Sequence, residues 1–437
     1  MQVSVVKRIF GIWWPLALSW LFMGLEQPLI SAAIARLEDP TINLAALGIV
    51  FPLALLIESP IIMLLAASTA LNDHKQAHQL MYRFMMATGF IITVLHILLA
   101  YTPLYDLIIV SAFNPPPEII NPARWGLMAL VPWTWSIAYR RYHQGLLIRY
   151  GDAKAVSVGT LLRLIANLIT LVLAALIGFP GIVVAGLGIS AGVLTEAIFI
   201  GLRARPIVKT KLPEATNHLL SWDKFSQFYI PLALTSILLL GSQPLGSAAL
   251  TRMPNALNSL AVWPVLVAFI FLFRGMGFAY NEVVVTALKE KQATFAELTK
   301  VAILISLGLT AMLTLIAFTP LANLYFETVA GLEPDLARMA IAALVFASIW
   351  PAVSTFRNLY QGILVYNGQT RFVTESVVAS LGVTALLLFI GVRLQSYPGL
   401  FVGVMAFIIG NLVQVLWLVW RSQDARRTLI GGQAWQR

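Results

Sequence analysis

At 437 residues, 59% hydrophobic and only 11% charged, the chain lies far from the composition of a soluble domain. It has no cysteine, which excludes disulfides and thiolate metal sites. Its formal charge of +10 invites a nucleic-acid reading, but the placement of the charges supports a topological one.

Apolar runs of about 20 residues, each long enough to cross a hydrocarbon core of ~30 Å, recur from end to end. In that medium the backbone must satisfy itself, so runs rich in Leu, Ile, Val and Ala are helices. In chain order, spans are predicted at roughly 9–33, 45–69, 82–104, 122–148, 156–178, 180–203, 225–250, 258–288, 299–325, 338–365, 374–394 and 398–420. Residues Met1 to Gly11 lack the apolar core and cleavage site of a removable leader. The expected fold is therefore an all-α polytopic membrane protein of twelve transmembrane helices.

The first span contains Pro15–Arg36, PLALSWLFMGLEQPLISAAIAR, and the seventh contains Pro231–Arg252, PLALTSILLLGSQPLGSAALTR; eleven of these 22 positions are identical. Shared apolar residues could be coincidence, but Pro28/Pro244, Gln27/Gln243, Ser31/Ser247 and Arg36/Arg252 in register mark an internal duplication. It continues from Tyr139–Gly151 (YRRYHQGLLIRYG) to Phe356–Gly368 (FRNLYQGILVYNG), from Pro180–Gly181 to Pro398–Gly399, and from Arg203 to Arg421. Six helices return the chain to the same side, so the repeats are parallel. The predicted organisation is an N-terminal six-helix bundle over 1–205, a basic cytoplasmic linker over 206–224, a C-terminal six-helix bundle over 225–425 and a cytoplasmic tail over 426–437. With both termini inside, nineteen Lys and Arg fall on cytoplasmic segments, Lys291 and Arg437 among them, against five on outer ones. This is the positive-inside asymmetry. It accounts for most of the net charge and places the protein as a multi-pass component of the plasma (inner) membrane. The Pro-rich stretch from Pro103 to Pro122 reads as an ordered outer loop.

Charges inside the spans are costly and should face protein or a water-filled cavity. Glu26, Glu58 and Arg274 fall near mid-depth, whereas Arg140, Arg141, Arg163, Glu196, Glu282 and Arg357 fall nearer the cytoplasmic face. Glu26 has no counterpart in the seventh span, where Ser242 stands opposite it, and a lone deep acid is a candidate carrier of a coupling proton. Glu58 and Arg274 occupy near-equivalent repeat positions and either pair as a gate or contact solute. Arg163 and Glu196, at similar depth on consecutive helices, suit a structural ion pair. Arg140 and Arg357, equivalent in the two repeats, either snorkel to the inner surface or bind an anion. Gln27, Gln144, Gln243 and Gln361 suit interhelical hydrogen bonds, and Gly145 and Gly362 close packing. His96 reads as a packing residue and Glu375 as a solvated helix end. No phosphate-binding glycine loop, metal-spaced cluster or catalytic triad is present, so neither a cofactor nor an enzyme activity is expected.

Two parallel six-helix bundles on a basic linker, with Tyr/Phe-Arg-x-x-x-Gln-Gly ending the fourth and tenth spans, resemble the multidrug/oligosaccharidyl-lipid/polysaccharide (MOP) exporter superfamily, with its multidrug and toxin extrusion (MATE) fold. Within it, Gly24-Leu25-Glu26-Gln27-Pro28-Leu29 followed by Ala32-Ala33-Ile34-Ala35, with Pro231-Leu232-Ala233-Leu234, is most similar to the progressive ankylosis protein family. That resemblance implies export of small organic anions such as citrate, ATP or pyrophosphate. The second bundle has Gln243 and Arg274 where sodium-coupled multidrug exporters use acids, which departs from their pattern. The expected function is secondary transport by alternating access in a monomer, with a small-molecule substrate, the lipid bilayer and a coupling proton as partners. The substrate-binding or coupling residues are then Glu26, Gln27, Glu58, Arg140, Gln144, Gln243, Arg274, Glu282, Arg357 and Gln361. The rival readings are a proton-coupled multidrug cation antiporter and a lipid-linked sugar flippase.

Overall fold

The computed structural model describes residues 5–214, 219–290 and 293–430; Lys291, Arg437 and the end of the predicted tail lie outside the described residues. The chain runs through α1 (Val5–Gly24 with Glu26–Ile34), α2 (Pro40–Ile62 with Leu64–Leu71), α3 (Lys75–Tyr101) and α4 (Pro117–Ala129 with Val131–Arg149). It continues through α5 (Ala153–Ile177), α6 (Gly181–Pro206), α7 (Trp222–Leu250) and α8 (Ala256–Phe278 with Tyr280–Lys289). The last elements are α9 (Phe295–Ala317), α10 (Pro334–Ala347 with Trp350–Tyr366), α11 (Thr370–Leu394), α12 (Gly399–Arg421) and the short α13 (Gln423–Ile430). All twelve predicted spans are helical, and among the described residues there is no strand. Eleven of them are long and apolar enough to cross a membrane by composition alone. The exception is α4, because Arg140, Arg141, His143 and Gln144 crowd its second half; its repeat partner α10 keeps only Arg357 and Gln361, with Asn358 and Tyr360 in place of Arg141 and His143, and qualifies.

The duplication is written in the backbone. Among the described residues the left-handed ones are Asp39, Asn114, Asn255, Gln395, Gly151, Gly178, Gly331 and Gly368, and every one of these has its partner in the other repeat: Asp39 with Asn255, Asn114 with Gly331, Gly151 with Gly368, Gly178 with Gln395. The breaks recur as well, Met63 in α2 matching Ala279 in α8. So does the packing: a Cβ on Gly145 would meet Leu65 and Ser68 of α2, and one on Gly362 would meet Asn281 and Val284 of α8. Two of the breaks lie beside a proline, which removes a donor and frees the carbonyl four residues earlier. Pro28 frees that of Gly24, next to the break at Leu25 in α1, and Pro60 frees that of Leu56 in α2, to which the Ser59 hydroxyl donates at 2.7 Å.

The helices form two compact units, Ala33–Thr251 (the N unit) and Met1–Ala32 with Arg252–Arg437 (the C unit). The bundles predicted as 1–205 and 225–425 therefore each differ from the packed units by one helix, since α1 belongs to the C unit and α7 to the N unit. The reason is side-chain packing. In the C unit Trp13 Nε1 donates to the Met276 carbonyl at 2.9 Å, Trp20 lies edge-on to Phe278 at 5.5 Å, and Gly24 leaves room for Phe271 and Leu272. In the N unit α7 is fastened to α2 by the Ser247 hydroxyl donating to Gly48 at 2.6 Å and by the Tyr229 hydroxyl donating to Pro60. The predicted outer loop is ordered: Tyr105 donates to the Ile120 carbonyl at 2.7 Å and Arg124 Nε to that of Ala100 at 3.0 Å. On α5 and α11 the outward rows, Leu161, Ile165, Leu168 and Val172 in one and Leu386, Phe389 and Ile390 in the other, are exposed and apolar. A surface of that kind is stable against lipid and not against water.

Candidate functional site

In the N unit the intramembrane charges are almost fully enclosed. Glu196 of α6 is 0% exposed, and Arg140 of α4 donates to its Oε2 at 2.6 Å. Gln144, one turn along α4, donates to the other carboxylate oxygen at 2.9 Å, and Arg163 Nε of α5 stands 3.8 Å from Oε2. The expected Arg163–Glu196 pair is thus present as the longer arm of a cluster whose short arm is Arg140. A buried carboxylate held by a guanidinium and an amide is a structural fastening, so Arg140 and Gln144 are engaged inside the protein. Glu58 of α2 is 1% exposed, with Thr134, Arg140 and Arg141 as its electrostatic neighbours. Of these, Thr134 is the side chain that offers it a hydrogen bond. His96 of α3 is saturated, as a packing residue should be: its Nδ1 is 2.7 Å from the Thr134 hydroxyl and its Nε2 is 3.0 Å from the Leu127 carbonyl. Gln243, on α7, is half-buried.

The C unit holds the opposite arrangement. Arg274 ends one turn before the break in α8, and Trp350, Ser354 and Arg357 follow at helical spacing along one face of α10. The Arg274 guanidinium lies 4.1 Å from the centre of the Trp350 ring and 5.5 Å from that of Phe278, while Arg357 lies 5.0 Å from the same Phe278 ring. Arg274 Nε donates to the Ser354 hydroxyl at 3.2 Å, and Arg357 donates to Asn411 Oδ1 of α12 at 3.3 Å. Among the described residues neither arginine has an ion-pair partner. Two buried donors, Arg357 Nε and Trp350 Nε1, meet no acceptor. Aromatic rings cover the guanidinium faces, which fixes them. Their N–H edges are the part left to meet an acceptor.

The remaining predicted residues spread out. Glu26 and Gln27 are half-buried where α1 resumes after its break, in the C unit. Gln361 is half-buried on α10, and Glu282 is exposed on the second segment of α8. Glu58 and Arg274, the expected facing pair, belong to different units, and each has its near neighbours in its own. Glu375, read as a solvated end, is paired with Arg421 at 2.8 Å. Sequence reasoning missed Phe278, Trp350 and Asn411. The signal was there for Phe278, which stands four residues from Arg274 and so shares its face; Trp350 is buried on α10.

No family model matches the chain, and no curated protein matches it. Solved structures do. An inward-facing multidrug-resistance transporter of the MATE family aligns at TM-score 0.69 and 16% identity over 92% of this chain and 95% of its own. A Vibrio cholerae MATE transporter aligns at 0.68 and 18% over 97% and 98%. A MOP superfamily transporter from Pyrococcus furiosus, described as having a binding pocket of reversed polarity, aligns at 0.66 and 16% over 98% and 99%. At such identities the likeness is one of architecture, and over nearly the whole chain that architecture is the MATE fold of the MOP superfamily transporters.

Proposed function

We propose that the protein is a secondary transporter that exports a small organic anion of the carboxylate, nucleotide or pyrophosphate class by alternating access. The fold supports transport, and the observation that carries the anion reading is the pair Arg274 and Arg357. Two partly buried guanidinium groups share one aromatic ring and, among the described residues, have no acid paired with them. An isolated buried charge is expensive, and a di- or trianion arriving with planar oxygens would meet both arginines through charge-assisted, bidentate bonds. A cation would meet only repulsion there. Loading from the cytoplasm fits the positive-inside orientation read from the sequence, and Glu26, in the same unit, is the proposed proton carrier. The progressive ankylosis likeness of the first span points to the same substrate class. A proteoliposome uptake screen with citrate, ATP and a lipophilic cationic dye tests the reading. Uptake of at least one anion and exclusion of the dye is expected; dye transport without anion transport would turn the assignment to a multidrug antiporter.

A further inference from the structure

The internal duplication supplies a control for the C-unit arginines, because the same positions can be compared within one chain. The register around α5–α6 and α11–α12 is fixed by packing. A Cβ on Gly192 would meet the Arg163 carbonyl and the Asn167 side chain, and one on Gly410 would meet the Ser380 carbonyl and the Thr384 side chain. Four residues on from each glycine, one helical turn along the same face, stand Glu196 and Gln414. They are repeat equivalents, in the register that also joins Pro180 to Pro398 and Arg203 to Arg421. Glu196 takes the short ion pair from Arg140. Gln414 is 5% exposed and donates to the Ser376 hydroxyl at 3.3 Å, so Arg357, the equivalent of Arg140, turns to the neutral Asn411 instead.

Resting on the anion reading above, we infer that Gln414 is the specificity-determining residue of the C unit. The amide at 414 withholds the carboxylate that would claim Arg357, and so leaves that guanidinium to a solute anion. The acid-to-amide difference is one oxygen for one nitrogen, and the N unit shows that this helix arrangement accepts the acid. Gln414→Glu should therefore rebuild in the C unit the closed pair seen between Arg140 and Glu196. The hydrogen bond of Gln414 goes to Ser376 and those of Arg274 and Arg357 go to Ser354 and Asn411, so in this reading Gln414 acts through Arg357 as a positioning residue.

Two readouts test this in the full-length protein. The first is peptide-resolved modification of Arg357 by phenylglyoxal, which needs no transported substrate. Arg357 should be labelled in the wild type and in Gln414→Met, and about tenfold more slowly in Gln414→Glu, where a carboxylate engages it; Arg140 should stay protected in all three. The second is uptake of citrate and ATP by proteoliposomes, which should fall about tenfold in Gln414→Glu and persist in Gln414→Met. If Gln414→Glu does not fold, the double variant Ser380→Arg with Gln414→Glu, which copies Arg163 and Glu196, takes its place. Unchanged labelling of Arg357 beside a new carboxylate overturns the inference. A wild type that carries only the cationic dye overturns the anion reading and the selectivity role with it, and the labelling result then reports separately on the Arg357 contact. Equal loss of transport in the Glu and Met variants would also overturn it, by showing that position 414 matters for packing and not for charge.

Discussion

Arg140 and Arg357 hold the same place in the two repeats, yet their replacement by Gln should have opposite consequences. Arg140→Gln removes the short partner of Glu196, a carboxylate with no exposure to solvent, and leaves it to the Gln144 amide and to Arg163 at 3.8 Å. Breaking a buried pair in this way costs about 3–5 kcal/mol. Arg357→Gln breaks no ion pair. It forfeits a 3.3 Å bond to Asn411 and a ring contact at 5.0 Å, together about 1–2 kcal/mol, and it relieves repulsion with Arg274, so its net effect should stay within about 1 kcal/mol. In a thermal unfolding scan of the detergent-solubilised protein, followed by tryptophan fluorescence, Arg140→Gln should lower the midpoint by on the order of 10 °C for a unit of this size, and Arg357→Gln by no more than about 4 °C. Anion uptake should show the reverse ranking once corrected for folded protein, with Arg357→Gln the more damaging. Equal midpoints for the two variants would refute the division into a structural and a solute-facing arginine.

Arg274→Lys and Arg357→Lys keep the charge but lose the planar fork and ring stacking, so each should weaken anion uptake several-fold, read as a rise in KM. Arg274→Glu should abolish uptake, and adding Glu58→Arg should not restore it; recovery in the double variant would make Arg274 a gate residue instead of a solute contact. Glu26→Gln should remove the stimulation of uptake by a pH gradient while leaving anion binding intact, as measured by equilibrium binding in detergent. Gly145→Ala puts a Cβ 2.5 Å from the Leu65 carbonyl oxygen and should cost about 1–3 kcal/mol by overpacking, visible as a lower unfolding midpoint.

Much of the fold is legible in the sequence because bilayer-spanning helices and a gene duplication both leave signals in residue order. The repeat of Pro28, Gln27 and Arg36 in the seventh span, and of Gly151 in Gly368, foretells equivalences that the left-handed residues then display in the backbone. Membership of α1 and α7 is not legible, since consecutive order says nothing about whether Trp20 packs on Phe278 or Ser247 reaches Gly48. The site shows the same boundary. Depth in a span identifies Arg274, Arg357 and Arg140 as candidates, but what separates Arg140, turned to Glu196, from Arg357, turned to Asn411, is the side chain that each meets on the neighbouring helix. One part of that difference is recoverable from sequence: carrying the register from Pro398 along α12 aligns Gln414 with Glu196, a difference of charge that comparison within the chain contains.

The most direct test of the account is equilibrium binding of radiolabelled citrate, ATP and pyrophosphate to the purified protein and to the Arg274→Gln, Arg357→Gln double variant, with a lipophilic cation as the counter-probe. The account predicts saturable binding of at least one of the anions to the wild type, weakened at least about a hundredfold in the double variant as two charge-assisted contacts are lost, and no gain from the cation. Binding of the cation but of none of the anions, or anion binding that survives loss of both arginines, would contradict it.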